Sequence, residues 1–186
     1  METFFFNLTL TQAATFVGAL GILCGSALLF APSVCRPFVR DFGRNKVGGW
    51  VLAAITLLWA AWLVKNTPME RFEGMKSYIY IAVPVAYFLI VKYMDDLLAT
   101  RALGALLLLM ANPIITAARW HDSEWRLVMT VIAYIWVVIG IPLVLSPFLW
   151  RRWTTPLLAT DTRCRAVGAL KIILGAFLLF LAIRIY

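Results

Sequence analysis

The chain has 186 residues, 63% of them hydrophobic and 14% charged, with one histidine and a formal net charge of +8. A soluble domain carries about 45–50% apolar and about 25% charged residues. These figures exclude a disordered chain, a soluble basic domain that binds nucleic acid and a disulfide scaffold, and they point to an integral membrane protein.

A membrane helix takes about 20 apolar residues at a rise of about 1.5 Å each. The apolar runs predict six of them, at residues 11–31, 48–64, 77–94, 102–118, 127–149 and 166–184. The runs are continuous rather than alternating, which argues against a β-barrel. The short connections leave no room for a soluble module, so residues 1–186 read as one all-α, polytopic transmembrane domain. The first run is not preceded by the basic segment of a signal peptide, because Glu2 is the only charge before it. It reads as an uncleaved helix.

Lysine and arginine accumulate in cytoplasmic loops. No basic residue precedes the first run, and Arg36, Arg40, Arg44 and Lys46 follow it. The third and fifth connectors add Lys92 and Arg101, then Arg151, Arg152, Arg163 and Arg165. The opposite side carries Lys65, Arg71, Lys76, Arg119, Arg126 and Arg184. Both termini are therefore expected outside the cytoplasm, in an arrangement suited to a bacterial inner membrane. Basic connectors beside membrane helices meet anionic headgroups, at about 1 kcal/mol per residue near the surface. Nucleic-acid binding needs a basic soluble face, and the chain offers none.

The chain also shows self-similarity. Residues 97–106 read LLATRALGAL, and residues 157–170 read LLATDTRCRAVGAL. With Asp161–Cys164 set aside, the two differ only at Leu103 against Val167. Pro32 precedes Arg36 by the same four residues as Pro147 precedes Arg151. This predicts three helical hairpins, at 11–64, 77–118 and 127–184, each with a basic connector and a glycine-started returning helix. Chance matching among Leu-, Ala- and Gly-rich helices is the alternative. Within the third hairpin, Pro147, Trp150, Arg151, Arg152, Arg165, Gly168 and Gly175 resemble a small two-helix inner-membrane family of bacteria. That family has a proline, a tryptophan followed by two basic residues, and Arg-x-x-Gly opening its second helix. The resemblance implies a hairpin and its orientation, and no activity.

In the first connector, Val34, Phe38 and Phe42 recur every four residues, and Arg36, Arg40 and Arg44 do so on the opposite face. This predicts a short helix lying in the headgroup region. The fifth connector is less regular, with Trp150 and Trp153 flanking Arg151 and Arg152, and Trp120 and Trp125 mark the other interface. Arg36, Arg40, Arg44, Arg151 and Arg152 are the candidate headgroup contacts.

Charge inside a span is costly and often functional. Lys171 lies within the sixth run, where it either snorkels to the interface or pairs with Asp95 or Asp96 at the end of the third. Pro84, Pro113 and Pro142 interrupt the third, fourth and fifth runs, and Asn112 beside Pro113 makes the most polar of these sites. Such broken helices occur in transporters. Gly21-x-x-x-Gly25, extended by Gly18, fits a close-packing stripe, and Gly168 and Gly175 share one face of the sixth helix.

Chemistry for catalysis is sparse. His121, the only histidine, sits with Asp122 and Glu124 in an outer loop, which by itself does not complete a metal site. Cys24, Cys35 and Cys164 form no Cys-x-x-Cys, and no nucleophile-elbow, zinc-protease or phosphate-loop motif is present. No metal, haem or other cofactor is expected. The leading expectation is a non-catalytic scaffold or accessory subunit that contacts membrane lipids and a membrane-protein partner or a second copy. The alternatives are a small-solute or ion transporter with a polar site at Asp95, Asp96, Lys171 and Asn112, and a lipid-modifying enzyme using the His121 loop.

Overall fold

The computed structural model describes residues 9–66, 78–94 and 97–186. Those residues are helical with short connections, and none of them forms a strand. Helix α1 (Leu10–Phe30) opens with a capping box, in which Thr9 Oγ1 accepts from the Gln12 N–H and Gln12 Oε1 accepts from the Thr9 N–H. It ends at Ala31, because a residue before proline is pushed out of the helical region, and α2 (Pro32–Asp41) follows at an angle, closing in a 3₁₀ turn at Phe42–Arg44. Then come α3 (Lys46–Asn66), α4 (Ile79–Tyr93), α5 (Leu98–Arg119) and α6 (Arg126–Leu145). Ser146 before Pro147 repeats the break, α7 (Leu149–Leu157) crosses, and α8 (Asp161–Arg184) returns with Thr160 capping the Arg163 N–H.

Among the described residues, five helices (α1, α3, α5, α6 and α8) are long and apolar enough to cross a membrane. Their outer faces are apolar, as at Leu23, Val138, Ile173 and Ile183, all well exposed. This is consistent with an integral membrane protein. The third run is different: α4 has 15 residues, about 22 Å at the helical rise, short of a hydrocarbon core of about 30 Å. Six full-length spans are therefore not seen among the described residues. The fifth run also stops earlier than expected, at Leu145 rather than residue 149, for the proline reason given above. The helices run continuously through Pro84, Pro113 and Pro142 rather than breaking there.

The expected hairpins are not the packing units. The closest pairs are α1 with α8 and α5 with α6; α3 lies on α5, and α4 lies more lightly on α3. Each main pair is built around glycine. A methyl group at Gly25 would stand 2.7 Å from the Gly168 carbonyl oxygen, and one at Gly175 2.6 Å from that of Gly18. In the other pair, a methyl at Gly104 would stand 2.8 Å from the Gly140 oxygen. These are backbone contacts that no side chain can yield to, so glycine is what lets the axes approach. Gly21 is less critical: its nearest neighbours would lie at 3.5 Å, an ordinary contact. The close-packing stripe is therefore Gly18 with Gly25, two turns apart, and the expected Gly21-x-x-x-Gly25 pairing is only half of it.

The two glycine pairs share their surroundings. Gly25 precedes Pro32, and Gly140 precedes Pro147, by the same seven residues. Two turns further along each interface, Gly18 and Gly175 are matched by the fully buried Ala133 and Ala111. A cluster around Leu10, Ala14, Ile114, Met129 and Leu181 fills the end of the molecule where α1 begins and α8 finishes. The connectors α2 and α7 occupy the other end.

Candidate functional site: the face formed by the two connector helices

Helices α2 and α7 lie side by side. Helix α7 was not foreseen, although its signal was present: Trp150, Trp153 and Leu157 recur three and four apart, with Arg151, Arg152, Thr154 and Thr155 between them. Two side chains, Trp150 and Arg36, fix the pair. Trp150 donates its indole N–H to the Val39 carbonyl at 2.9 Å, and its ring centroid lies 5.5 Å from that of Phe42. Arg36 reaches across to the end of α7, donating to the Leu158 carbonyl at 2.9 Å and the Ala159 carbonyl at 2.6 Å. Its third bond, also an ion pair, goes to the Asp161 carboxylate. Arg36 thus caps the C-terminal end of α7, where cationic donors are favoured.

Three hollows surround this pair. A polar groove of about 550 Å³ is lined by Ser33, Arg36, Arg40, Asp41, Arg151 and Thr155, with Thr154 and Leu158 on its wall. An apolar groove of about 390 Å³ runs over α1 and α8 and touches Cys35, Phe38, Trp150, Leu157, Val167 and Lys171, again sharing Thr154 and Leu158. A smaller pocket of about 200 Å³ lies where three connectors meet, bordered by Arg40, Arg44, Arg151, Leu97, Thr100 and Trp150.

Of the five arginines singled out from sequence, Arg36, Arg40 and Arg151 face the polar groove, and Arg44 joins Arg40 and Arg151 at the junction pocket. Arg152 is exposed and borders neither hollow. Thr100 is the residue that sequence reasoning missed. Its side chain is fully buried, and its hydroxyl has no hydrogen-bond partner. A buried unsatisfied hydroxyl costs about 1–3 kcal/mol. Gly43 faces it so closely that a methyl there would stand 2.7 Å from Thr100 Oγ1.

The expected intramembrane polar site is not assembled among the described residues. Lys171 is exposed on α8 and lines the apolar groove. Asn112 is exposed on α5, and its carbonyl accepts from Thr116 at 3.0 Å. Asp95 and Asp96 lie outside the described residues. A cleft of about 540 Å³ between α1, α3 and α5 is almost wholly apolar, with Phe16, Ile55, Met110 and Ile114 among its walls.

The His121 loop is tied to the chain end. His121 Nδ1 accepts from the Ser123 N–H at 3.1 Å, and its ring meets Tyr186 edge-on at 5.3 Å. Tyr186 donates its hydroxyl to the Trp125 carbonyl at 2.6 Å, and burial raises its pKa above the ordinary 10. Arg126 closes the loop on the Arg119 and His121 carbonyls. His121, Asp122 and Glu124 do not converge with one another, and among the described residues no three His, Cys, Asp or Glu side chains are grouped as a metal site.

No family model, curated protein or solved structure matches the chain.

Proposed function

We propose that this chain is a non-catalytic integral membrane protein, a scaffold or accessory subunit of a membrane complex, which contacts anionic lipid through α2 and α7. The observation that carries this reading is the side-by-side docking of the two basic connector helices, with Arg36, Arg40 and Arg151 turned into one groove. Arginines held at the boundary of an apolar bundle attract anionic headgroups. Wide, apolar outer faces on the long helices leave surface for a membrane partner or a second copy.

In this reading α4 makes a sixth, shallower crossing. Both termini face away from the cytoplasm, and a bacterial inner membrane is the setting. The internal repeat is read as genuine although its hairpins are not the packing units: α1 and α6 share their Gly-to-Pro spacing, and each meets a returning helix of a different hairpin through glycine. Nothing comparable favours the transporter reading, because Lys171 and Asn112 share no hollow among the described residues and the intramembrane cleft is apolar.

The test is purification from the native membrane in mild detergent, with mass identification of co-eluting chains and lipids. A co-purifying membrane protein together with enriched anionic lipid is the expected result. A monodisperse, stable chain carrying its own bound solute overturns the proposal.

A further inference from the structure

We infer that the chain pairs with a second copy of itself inside the membrane, α5 against α5, through the side chain of Asn112. This deepens the accessory-subunit reading above, because it names what covers one face of the bundle, and it rests on that reading's placement of the chain in a membrane.

Asn112 stands at hydrocarbon depth. It lies seven residues before the end of α5 at Arg119, about 10 Å along the helix. That helix is long and apolar enough to cross a core of about 30 Å. Helix α5 is also the most buried of the five spans. From Leu98 to Ala118 its other residues are buried or half-buried, and Asn112 alone is exposed. The one opening in the central helix therefore presents an amide rather than a hydrocarbon side chain.

That amide makes no hydrogen bond among the described residues; the bond from the Thr116 hydroxyl goes to the Asn112 backbone carbonyl instead. Hydrocarbon offers neither donor nor acceptor, so in a single chain the two N–H groups and the oxygen of the amide stay unsatisfied. Further acceptors flank it. Pro113 has no N–H, so the Leu109 carbonyl loses its usual helical donor. The Thr116 oxygen keeps its lone pairs while its hydrogen is donated. Ala105, Leu109, Asn112 and Thr116 follow one another at intervals of four, three and four residues. This is the seam along which two membrane helices cross at about 20°, and a polar residue in such a seam fixes register. The small Ala105 lets the axes come close.

Symmetry selects a second copy. An amide is donor and acceptor at once, so two of them facing each other across a two-fold axis form reciprocal N–H···O=C bonds. Copies inserted in the same orientation hold Asn112 at the same depth with their α5 helices parallel. A different protein would need a polar group of its own at that depth.

The test uses the full chain, carrying a donor or an acceptor dye on an added N-terminal tag, in phosphatidylcholine vesicles, with energy transfer followed as the protein-to-lipid ratio is varied. A pair that dissociates on dilution in lipid is expected. Asn112→Leu is expected to weaken it about tenfold, equivalent to about 1.4 kcal/mol for two interhelical bonds. Asn112→Gln, which keeps the amide, is expected to retain most of the association, and Ile173→Ala, on the exposed face of α8, to leave it unchanged. Position is read separately. With Cys24, Cys35 and Cys164 replaced by alanine, Ala105→Cys is expected to oxidise to a cross-linked dimer, because a parallel seam brings the two copies of one residue together, and Ile173→Cys is not. Energy transfer no higher than random proximity at every ratio overturns the pair and leaves an accessory role with another protein standing. A pair indifferent to Asn112→Leu, or cross-linked at residue 173 and not at 105, overturns the α5 seam. A different membrane protein retained from the native membrane through Asn112, in place of a second copy, overturns the self-pairing. A pair that forms as expected but carries its own bound solute supports the seam and overturns the scaffold reading instead.

Discussion

Replacing Gly25 with alanine tests the packing of α1 on α8 directly. The added methyl would stand 2.7 Å from the Gly168 carbonyl oxygen, 2.8 Å from Ile172 Cγ1 and 3.0 Å from the Ile172 nitrogen. Ordinary contacts lie at about 3.5–4.0 Å, so the helices must part by several tenths of an ångström along their closest approach. Overpacking of this kind costs about 1–3 kcal/mol. Alanine returns about 1 kcal/mol through its better helix propensity, leaving a net loss of about 1–2 kcal/mol. Gly21→Ala gains the same propensity and meets its first neighbours at 3.5 Å, so it is expected to be neutral or stabilising. Gly25→Ala combined with Gly168→Ala should cost less than the sum of the two, because one separation of the helices relieves both. Thermal unfolding in mild detergent gives the ranking. Peptide-mapped alkylation of the buried Cys164 reports whether α1 and α8 have parted. Equal behaviour of the Gly21 and Gly25 variants would refute the argument that backbone contact at Gly25 governs the pair.

Three further predictions address the connectors and the chain end. Gly43→Ala should destabilise the chain through the 2.7 Å approach to Thr100 Oγ1, and Thr100→Ala in the same chain should recover most of the loss; a double-mutant cycle with no coupling refutes this. Asp161→Asn should cost less than about 1 kcal/mol, because the ion pair with Arg36 is half exposed. Arg36→Ala also removes two carbonyl bonds, each worth about 0.5–1.5 kcal/mol, so it should be clearly worse. Hydrogen exchange over residues 158–163 compares them, and equal protection in both variants counts against Arg36 as the cap of α7. The Tyr186 hydroxyl holds its proton longer in the folded chain than in the unfolded one. Docking of the chain end should therefore be fully stable below pH 10 and weaken as pH rises through the higher folded value. Phenolate absorbance follows the titration, and a Tyr186 that ionises at or below the ordinary value contradicts it. Tyr186→Phe should loosen the end by about 0.5–1.5 kcal/mol through loss of the bond to Trp125.

Much of this protein was legible as one-dimensional pattern. Long apolar runs mark where helices must lie, because backbone polar groups in hydrocarbon are satisfied only within a helix. Pro32 and Pro147 mark where α1 and α6 stop, and the four-residue recurrence of Val34, Phe38 and Phe42 against Arg36, Arg40 and Arg44 marks the amphipathic helix α2. The arginines of the connector face were visible for the same reason: basic residues clustered after an apolar run have one comfortable place, the interface.

Which helix touches which was not legible. In a soluble bundle the apolar stripe points to the partner, but here every face of α1, α6 and α8 is apolar and the stripe carries no direction. Chain order suggested hairpins, whereas the structure pairs the first helix with the last. Close backbone approach decided this, at Gly18 and Gly25 against Gly175 and Gly168, and close approach depends on shape across the bundle rather than on neighbours in sequence. The unpartnered hydroxyl of Thr100 belongs to the same class: its residue type is ordinary, and only the meeting of three connectors buries it. Sequence alone determined an apolar, helical chain with basic connectors. The tertiary structure alone decided which glycines bring helices together, and which arginines share a groove rather than merely an interface.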